Sequence, residues 1–257
     1  MSTKIKFSVK KKFKDAILLT GLPGIGLVGK ISLDYLLRQL KSEKIGEITS
    51  DSFPPSVHSK DGIVSLIKDD FFHVKIKNRD YVFLAGPVQP SLDLHGPSMS
   101  EHYEFAEKII EGVKQIGVSE VYTLAGINVG ERRMMTEPRV IIAATSKKTL
   151  KDWEKFGVIS DRPEGLISGA AGLILGIAKE EGLEGACLMG ETNARLVYGD
   201  HGAAKKVIEL LSKKFGFQVK MNEIEKEAKE IEKAFTQLSK QLEVPEDKPE
   251  NGLSYVR

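Results

Sequence analysis

The glycine-rich segment at residues 21–30, GLPGIGLVGK, holds the residue pattern in this sequence best suited to binding a small molecule. Gly24, Gly26 and Gly29 form the pattern GxGxxG, which in dinucleotide-binding folds brings a helix N-terminus close to a pyrophosphate. Such sites also use an acidic residue about 20 residues further on, at the end of a second strand. Glu47 is the nearest candidate here, and its neighbours are a poor match to a strand end.

The same segment also approaches a phosphate-binding P-loop, because Gly24 is followed by Gly29 and Lys30 at the required spacing. The next residue is Ile31, where a P-loop has the Ser or Thr that holds magnesium. No apolar run ends in the Asp that would complete such a site. A third interpretation is structural: a glycine turn lets the following helix pack closely on the sheet.

Arg132 and Arg133 follow a predicted strand, at the end of the strand where open α/β sheets bind ligands. A pair of arginines there can hold an anion, or can form ion pairs with Glu131 or Glu137. The five histidines show no metal-ligand spacing, and no GxSxG nucleophile motif is present. The sequence therefore predicts no catalytic residue, no metal site and no cofactor.

The overall composition is that of a globular protein with one large domain: 257 residues, 41% hydrophobic and 29% charged. The net charge of +2 argues against nucleic acid or a membrane surface as the main partner. No apolar stretch is long enough to span a membrane, and the single cysteine, Cys187, lies in an apolar run. We therefore expect a cytoplasmic protein with a buried, inert thiol.

Short apolar runs alternate with amphipathic stretches, a pattern that predicts a three-layer α/β/α sandwich. The predicted strands are 16–20, 63–67, 72–76, 81–85, 121–124, 140–143 and 186–189. The predicted helices are 27–40, 103–116, 165–178 and 203–215, and Asp200 is a suitable N-cap just before the last of them. A hairpin expected around residues 68–70 would make the sheet mixed.

The C-terminal part of the chain differs from the rest. Residues 222–242 have apolar positions with a period of 3.5, which predicts a helix with a narrow seam for another helix. The seam residues are Ile224, Ala228, Ile231, Phe235, Leu238 and Leu242. They would pack either on their own domain or on another subunit. We thus expect a domain at 1–220, a helix at 221–243 and a flexible tail at 244–257.

Several short motifs, in their order, resemble the proteasome-assembly-chaperone family in its archaeal form. The resemblance covers about residues 14–220 and rests on these segments: Gly21-x-Pro23-Gly24-x-Gly26-x-Val28-Gly29, Phe53-Pro-Pro55, Ala85-Gly-Pro-Val-Gln-Pro90, Ala125-Gly-Ile-Asn128, Pro138-Arg-Val140 and Gly165-Leu-Ile-Ser-Gly-Ala-Ala-Gly172. It implies a phosphorylase/hydrolase-like α/β/α domain, a homo-oligomer and a function in protein binding without catalysis. Related sequences have also been labelled as carboligases. The alternative function is therefore a nucleotide- or phosphate-binding enzyme that uses Gly24, Gly26, Gly29, Lys30 and Arg132.

The resemblance also implies a binding function for the C-terminus. Some members of the family end in a hydrophobic residue, a Tyr and any residue, a motif that docks between α-subunits of the 20S proteasome. This chain ends in Leu253-Ser-Tyr255-Val256-Arg257, so its motif is displaced by one residue. The primary hypothesis is a non-enzymatic, homo-oligomeric factor that binds 20S α-subunits, or a related assembly factor, through Leu253, Tyr255, Val256 and Arg257.

Overall fold

A computed structural model describes residues 3–9, 12–90, 99–160 and 165–242 of the chain. Its strands within these ranges are β1 (Lys4–Phe7), β2 (Ala16–Thr20), β3 (Ser42–Thr49), β4 (Val57–Lys60), β5 (Ile63–Leu66), β6 (Asp69–Ile76), β7 (Arg79–Ala85), β8 (Val118–Asn128), β9 (Val140–Ala144) and β10 (Glu184–Thr192). Its helices are α1 (Val28–Gln39), α2 (Met99–Gln115), α3 (Arg132–Met135), α4 (Lys147–Glu154), α5 (Gly169–Glu180), α6 (His201–Phe215) and α7 (Asn222–Leu242). A single 3-10 turn, Ile25–Leu27, precedes α1.

Eight strands form one mixed sheet in the order β1-β3-β6-β7-β2-β8-β10-β9. The four strands β7, β2, β8 and β10 are parallel, while β1, β3, β6 and β9 join by antiparallel pairing. Helices cover both faces of this sheet, which confirms the predicted α/β sandwich.

The central strand β2 shows why the sheet lies between two helical layers. Its five residues, AILLT, are all buried, as expected for a parallel strand covered on both faces. Ile17 and Leu19 join an apolar core with α1 and α6, whereas Ala16 and Leu18 join a second core with α2 and α5. The two cores thus follow from the alternation of side chains along one strand.

The hairpin predicted around residues 68–70 is wrong. Strand β5 pairs with β4 in a separate two-stranded sheet, and the antiparallel hairpin of the main sheet joins β6 to β7. Its turn is formed by the two residues after Ile76, and Lys77 there adopts a positive φ of 55°. The apolar run at residues 63–66 instead lies on an exposed ribbon, with Ile63 and Leu66 each 74% exposed.

Helix α7 runs antiparallel to α6 and continues beyond the end of α6 at which His201 lies. Glu225 pairs with Lys205 at 3.1 Å, and Glu227 pairs with His201, the first residue of α6, at 3.3 Å. Residues 228–242 continue the helix and, at 1.5 Å a residue, carry it about 22 Å further. Helix α7 therefore extends beyond the edge of the sheet at the carboxyl end of β10, where α6 begins.

The first part of the predicted seam packs on the chain's own domain. Ile224 is fully buried and Ala228 nearly so, while Ile231 is half-buried. The side chains of Phe235, Leu238 and Leu242 lie outside the described part of the structure, as do the tail residues Leu253, Tyr255, Val256 and Arg257. No helix in the described ranges is both long and apolar enough to cross a membrane.

Candidate functional site

The loops at the carboxyl ends of the parallel strands form the candidate site. The chain leaves β2 for α1 on one face of the sheet and leaves β7 for α2 on the opposite face. Because these adjacent strands diverge to opposite faces, a crevice opens at their carboxyl ends, where open α/β sheets bind ligands. The glycine segment at residues 21–30 lies at this crevice.

The glycines of this segment allow it to touch the neighbouring strands. A side chain at Gly29 would overlap the carbonyl of Leu124, and one at Gly26 would overlap the side chain of Thr192. Gly26 also has a φ of 60°, which L-residues with a side chain rarely adopt. These glycines therefore serve close packing of the loop on β8 and β10, as the structural interpretation of the motif proposes.

The two cations of the hypothetical phosphate site are already paired. Lys30 donates to Asp34, one turn further along α1, at 2.7 Å. Arg132 donates to Glu191 at 2.5 Å. Gly24, in contrast, borders open space, since a side chain built there would meet no atom within 4 Å. The geometry gives the nucleotide- or phosphate-binding alternative no support from Lys30 or Arg132.

Arg133 forms a fully buried ion pair with Asp200, the residue before α6. Its Nε and Nη2 atoms donate to the two carboxylate oxygens of Asp200 at 2.8 and 2.9 Å. The same carboxylate accepts from the Thr192 hydroxyl and from the Ala203 amide, each at 2.9 Å. The backbone amide of Asp200 donates to the Gly26 carbonyl at 2.8 Å. Asp200 therefore ties the glycine segment to α3, β10 and α6.

A second buried carboxylate, Glu191, lies between arginines. Besides Arg132, it accepts from Nε and Nη2 of Arg139 at 3.1 and 2.8 Å. Burial opposes ionisation of Glu191, but its contacts with Arg139 and Arg132 outweigh burial and hold its pKa below the usual value. Of the partners considered from sequence, Glu131 binds Arg195 and Glu137 binds Lys206. Sequence reasoning missed Glu191 entirely and identified Asp200 only as a helix N-cap.

A cavity of about 260 Å³ lies next to the glycine segment, between the first turns of α1 and α5. Gln89 borders it and joins two of its walls: Nε2 donates to the Pro23 carbonyl at 2.5 Å, and Oε1 accepts from the Ala170 amide at 3.1 Å.

Metal and thiol chemistry find no site in the described ranges. No group of three His, Cys, Asp or Glu residues there is placed to hold a metal ion. Cys187 is buried, and burial raises the pKa of its thiol to about 11, which makes it unreactive.

Comparison with known proteins places these features in a family. A family model described as the PAC2 family matches residues 18–239. The uncharacterised protein MJ1210 of Methanocaldococcus jannaschii is 33% identical, over 96% of this chain and 97% of its own length. The crystal structure of Pyrococcus furiosus PbaB, an archaeal proteasome activator, has a TM-score of 0.83 at 34% identity, covering 93% of this chain and 99% of that one. Pyrococcus furiosus PbaA, an archaeal homologue of proteasome-assembly chaperone, has a TM-score of 0.69 at 28% identity, covering 93% of each chain.

Proposed function

Because this chain belongs to the PAC2 family, we propose that it is a non-enzymatic binding protein that associates with the proteasome or with its assembling subunits. The likeness to PbaB, which extends over nearly the whole length of both chains, carries this proposal.

The direction of α7 supports a role for the C-terminal tail in this binding. The helix extends past the carboxyl-end loops of the domain, so its last residue, Leu242, lies away from the domain core. At about 3.3 Å per residue, the fifteen residues 243–257 can span up to about 50 Å. That reach would let Leu253, Tyr255, Val256 and Arg257 contact a pocket between 20S α-subunits while the domain stays outside it.

We also propose that the C-terminal part of α7 joins copies of the chain into a homo-oligomer. Ile224 and Ala228 are buried on their own domain, whereas the helix continues past α6 with Phe235, Leu238 and Leu242 at the seam spacing. A seam with a 3.5-residue period fits a second helix of the same kind. Several tails held in one oligomer would bind a ring of α-subunits with higher avidity than one tail does.

Charges placed in the seam are expected to dissociate the oligomer. Phe235→Asp with Leu238→Asp would remove two apolar contacts, each contributing about 1.5–3 kcal/mol when fully buried. Native mass measurement should give a multiple of the 28.4 kDa chain for the wild type and a single chain for the variant. Thr236→Asp with Ser239→Asp, which places the same charges outside the seam, should keep the wild-type mass. An unchanged mass for the seam variant would contradict self-association through α7.

The direct test of the proposed function is equilibrium binding to purified 20S proteasome and to free α-subunits. A chain that ends at residue 252 is the matched comparison, because it retains the domain and α7 and lacks only the anchor residues.

A further inference from the structure

We propose that the cavity at the carboxyl ends of β2 and β8 is a binding site for a short aliphatic carboxylate. Its volume is about 260 Å³, whereas an engineered apolar cavity of about 150 Å³ in another protein is enough to bind benzene. The cavity therefore has room for a molecule of roughly eight to ten non-hydrogen atoms. None of the described seam residues of α7 lines this cavity, and the proposed proteasome binding does not depend on it.

The walls of the cavity are mainly apolar and come from four parts of the fold. They include Leu22 after β2, Leu124 and Ile127 of β8, Met189 of β10 and Ile167 before α5. Ligand pockets combine such apolar walls with a few polar groups that fix the orientation of the ligand. The hydrocarbon part of the ligand would be held by these side chains.

The polar group that points to a ligand is the hydroxyl of Thr20, the last residue of β2. Thr20 lines the cavity and is only 3% exposed, yet its hydroxyl has no hydrogen-bond partner among the residues described. Its side chain shares a face of β2 with that of Leu18, which packs toward α2 and α5, so it is directed to the α5 side of the sheet where the cavity lies. The hydroxyl faces the cavity, so its hydrogen bond is left to whatever occupies the cavity. A ligand oxygen in the cavity would satisfy it.

Two helix N-termini border the same cavity and favour a negative charge on that oxygen. The first turns of α1 and α5 both contribute to the walls, through Gly29 and through Ala170 and Ala171. Neither Leu27 nor Ser168 caps the helix that follows it, but the Gln89 side chain accepts from the Ala170 amide in the first turn of α5. The remaining amides of these first turns and the helix dipoles favour an anion at such ends.

The residues that line the cavity favour a carboxylate ligand over a phosphate ligand. No Lys or Arg of the described residues lines the cavity. A phosphate dianion would therefore be desolvated among apolar walls without a cation. A single carboxylate needs only the hydroxyl of Thr20 and the helix amides, and its aliphatic chain matches the remaining walls.

The test is a thermal-shift and calorimetric titration of the full chain with hexanoate, with hexanol and inorganic phosphate as comparison probes. We expect hexanoate to bind saturably and to raise the Tm, with hexanol and phosphate binding at least tenfold more weakly. Gly24→Leu places a side chain in the open space beside the cavity and should abolish hexanoate binding. Gly176→Leu, on the exposed side of α5 where a side chain also meets no atom, should bind hexanoate as the wild type does.

Thr20→Val tests the hydroxyl without changing the shape of the site. Because the hydroxyl has no partner among the described residues, the valine variant should keep the wild-type Tm while it binds hexanoate about tenfold more weakly. The proposal is overturned if hexanoate shows no saturable binding up to about 10 mM, or if phosphate or hexanol binds as tightly. It is equally overturned if Gly24→Leu binds hexanoate with wild-type affinity.

Discussion

Replacing Asp200 with alanine is expected to lower the free energy of unfolding by about 3–5 kcal/mol, the usual cost of removing one partner of a buried ion pair. Asp200 and Arg133 are both fully buried, and the variant would leave the guanidinium charge inside the protein without its carboxylate. It would also remove the acceptor for the Thr192 hydroxyl and the Ala203 amide. Denaturation in guanidinium chloride, with an unchanged m-value, measures the loss.

Two comparison variants separate this explanation from a general sensitivity to mutation. The double variant Arg133→Met with Asp200→Leu should be more stable than Asp200→Ala, because no unpaired charge remains buried. Asp34→Ala removes a partly exposed ion pair with Lys30 and should cost less than about 1 kcal/mol. If Asp200→Ala costs no more than Asp34→Ala, the buried pair is not the anchor of the glycine segment.

Stability is expected to fall as the pH rises from about 5 to about 8, because of the buried carboxyl of Asp69. Asp69 has no solvent exposure, and its Oδ2 has no hydrogen-bond partner in the described part of the chain. Its Oδ1 accepts only a long hydrogen bond, 3.3 Å from the Val88 amide. Burial raises the pKa of Asp69 to about 8, the Val88 amide opposes this rise, and the neighbouring Asp70 adds to it.

The direction of the pH effect follows from the raised pKa. The folded protein keeps the Asp69 proton up to about pH 8, whereas the unfolded chain releases it near the ordinary aspartate pKa of 3.8. The stabilising contribution is thus complete below about pH 4 and is lost progressively up to about pH 8, by at most about 1.4 kcal/mol per pH unit. Urea denaturation of the wild type at several pH values should show this decline. Asp69→Asn should remove it, and the same slope in both proteins would contradict this assignment.

The parts of the fold that local patterns determine are predictable from the sequence. The apolar run at residues 16–20 predicts β2, and helical spacing predicts α1, α2, α5 and α6. Strand β3 was missed, because residues 44–48 contain charges that weaken the strand pattern. Those charges are satisfied by residues distant in sequence: Lys44 pairs with Asp70, and Glu47 pairs with Lys68. Pairing of this kind cannot be inferred from a local window.

In the candidate site, too, local patterns were predictable and contacts between distant residues were not. The glycine segment was recognised from its spacing, and its role in close packing depends on contacts with Leu124 and Thr192 that only the fold reveals. Asp200, which anchors the segment, lies 67 residues from its partner Arg133. Gln89 meets Ala170 at a separation of 81 residues. The one local signal for these residues was the N-cap position of Asp200, which the structure confirms.

Binding of the full chain to purified 20S proteasome, measured beside the chain that ends at residue 252, tests the central claim most directly. We expect the full chain to bind saturably to the 20S proteasome or to its free α-subunits. The shortened chain should bind at least tenfold more weakly, since it lacks the anchor residues of every tail in the oligomer. Failure of the full chain to bind either the assembled proteasome or free α-subunits would contradict the proposed function.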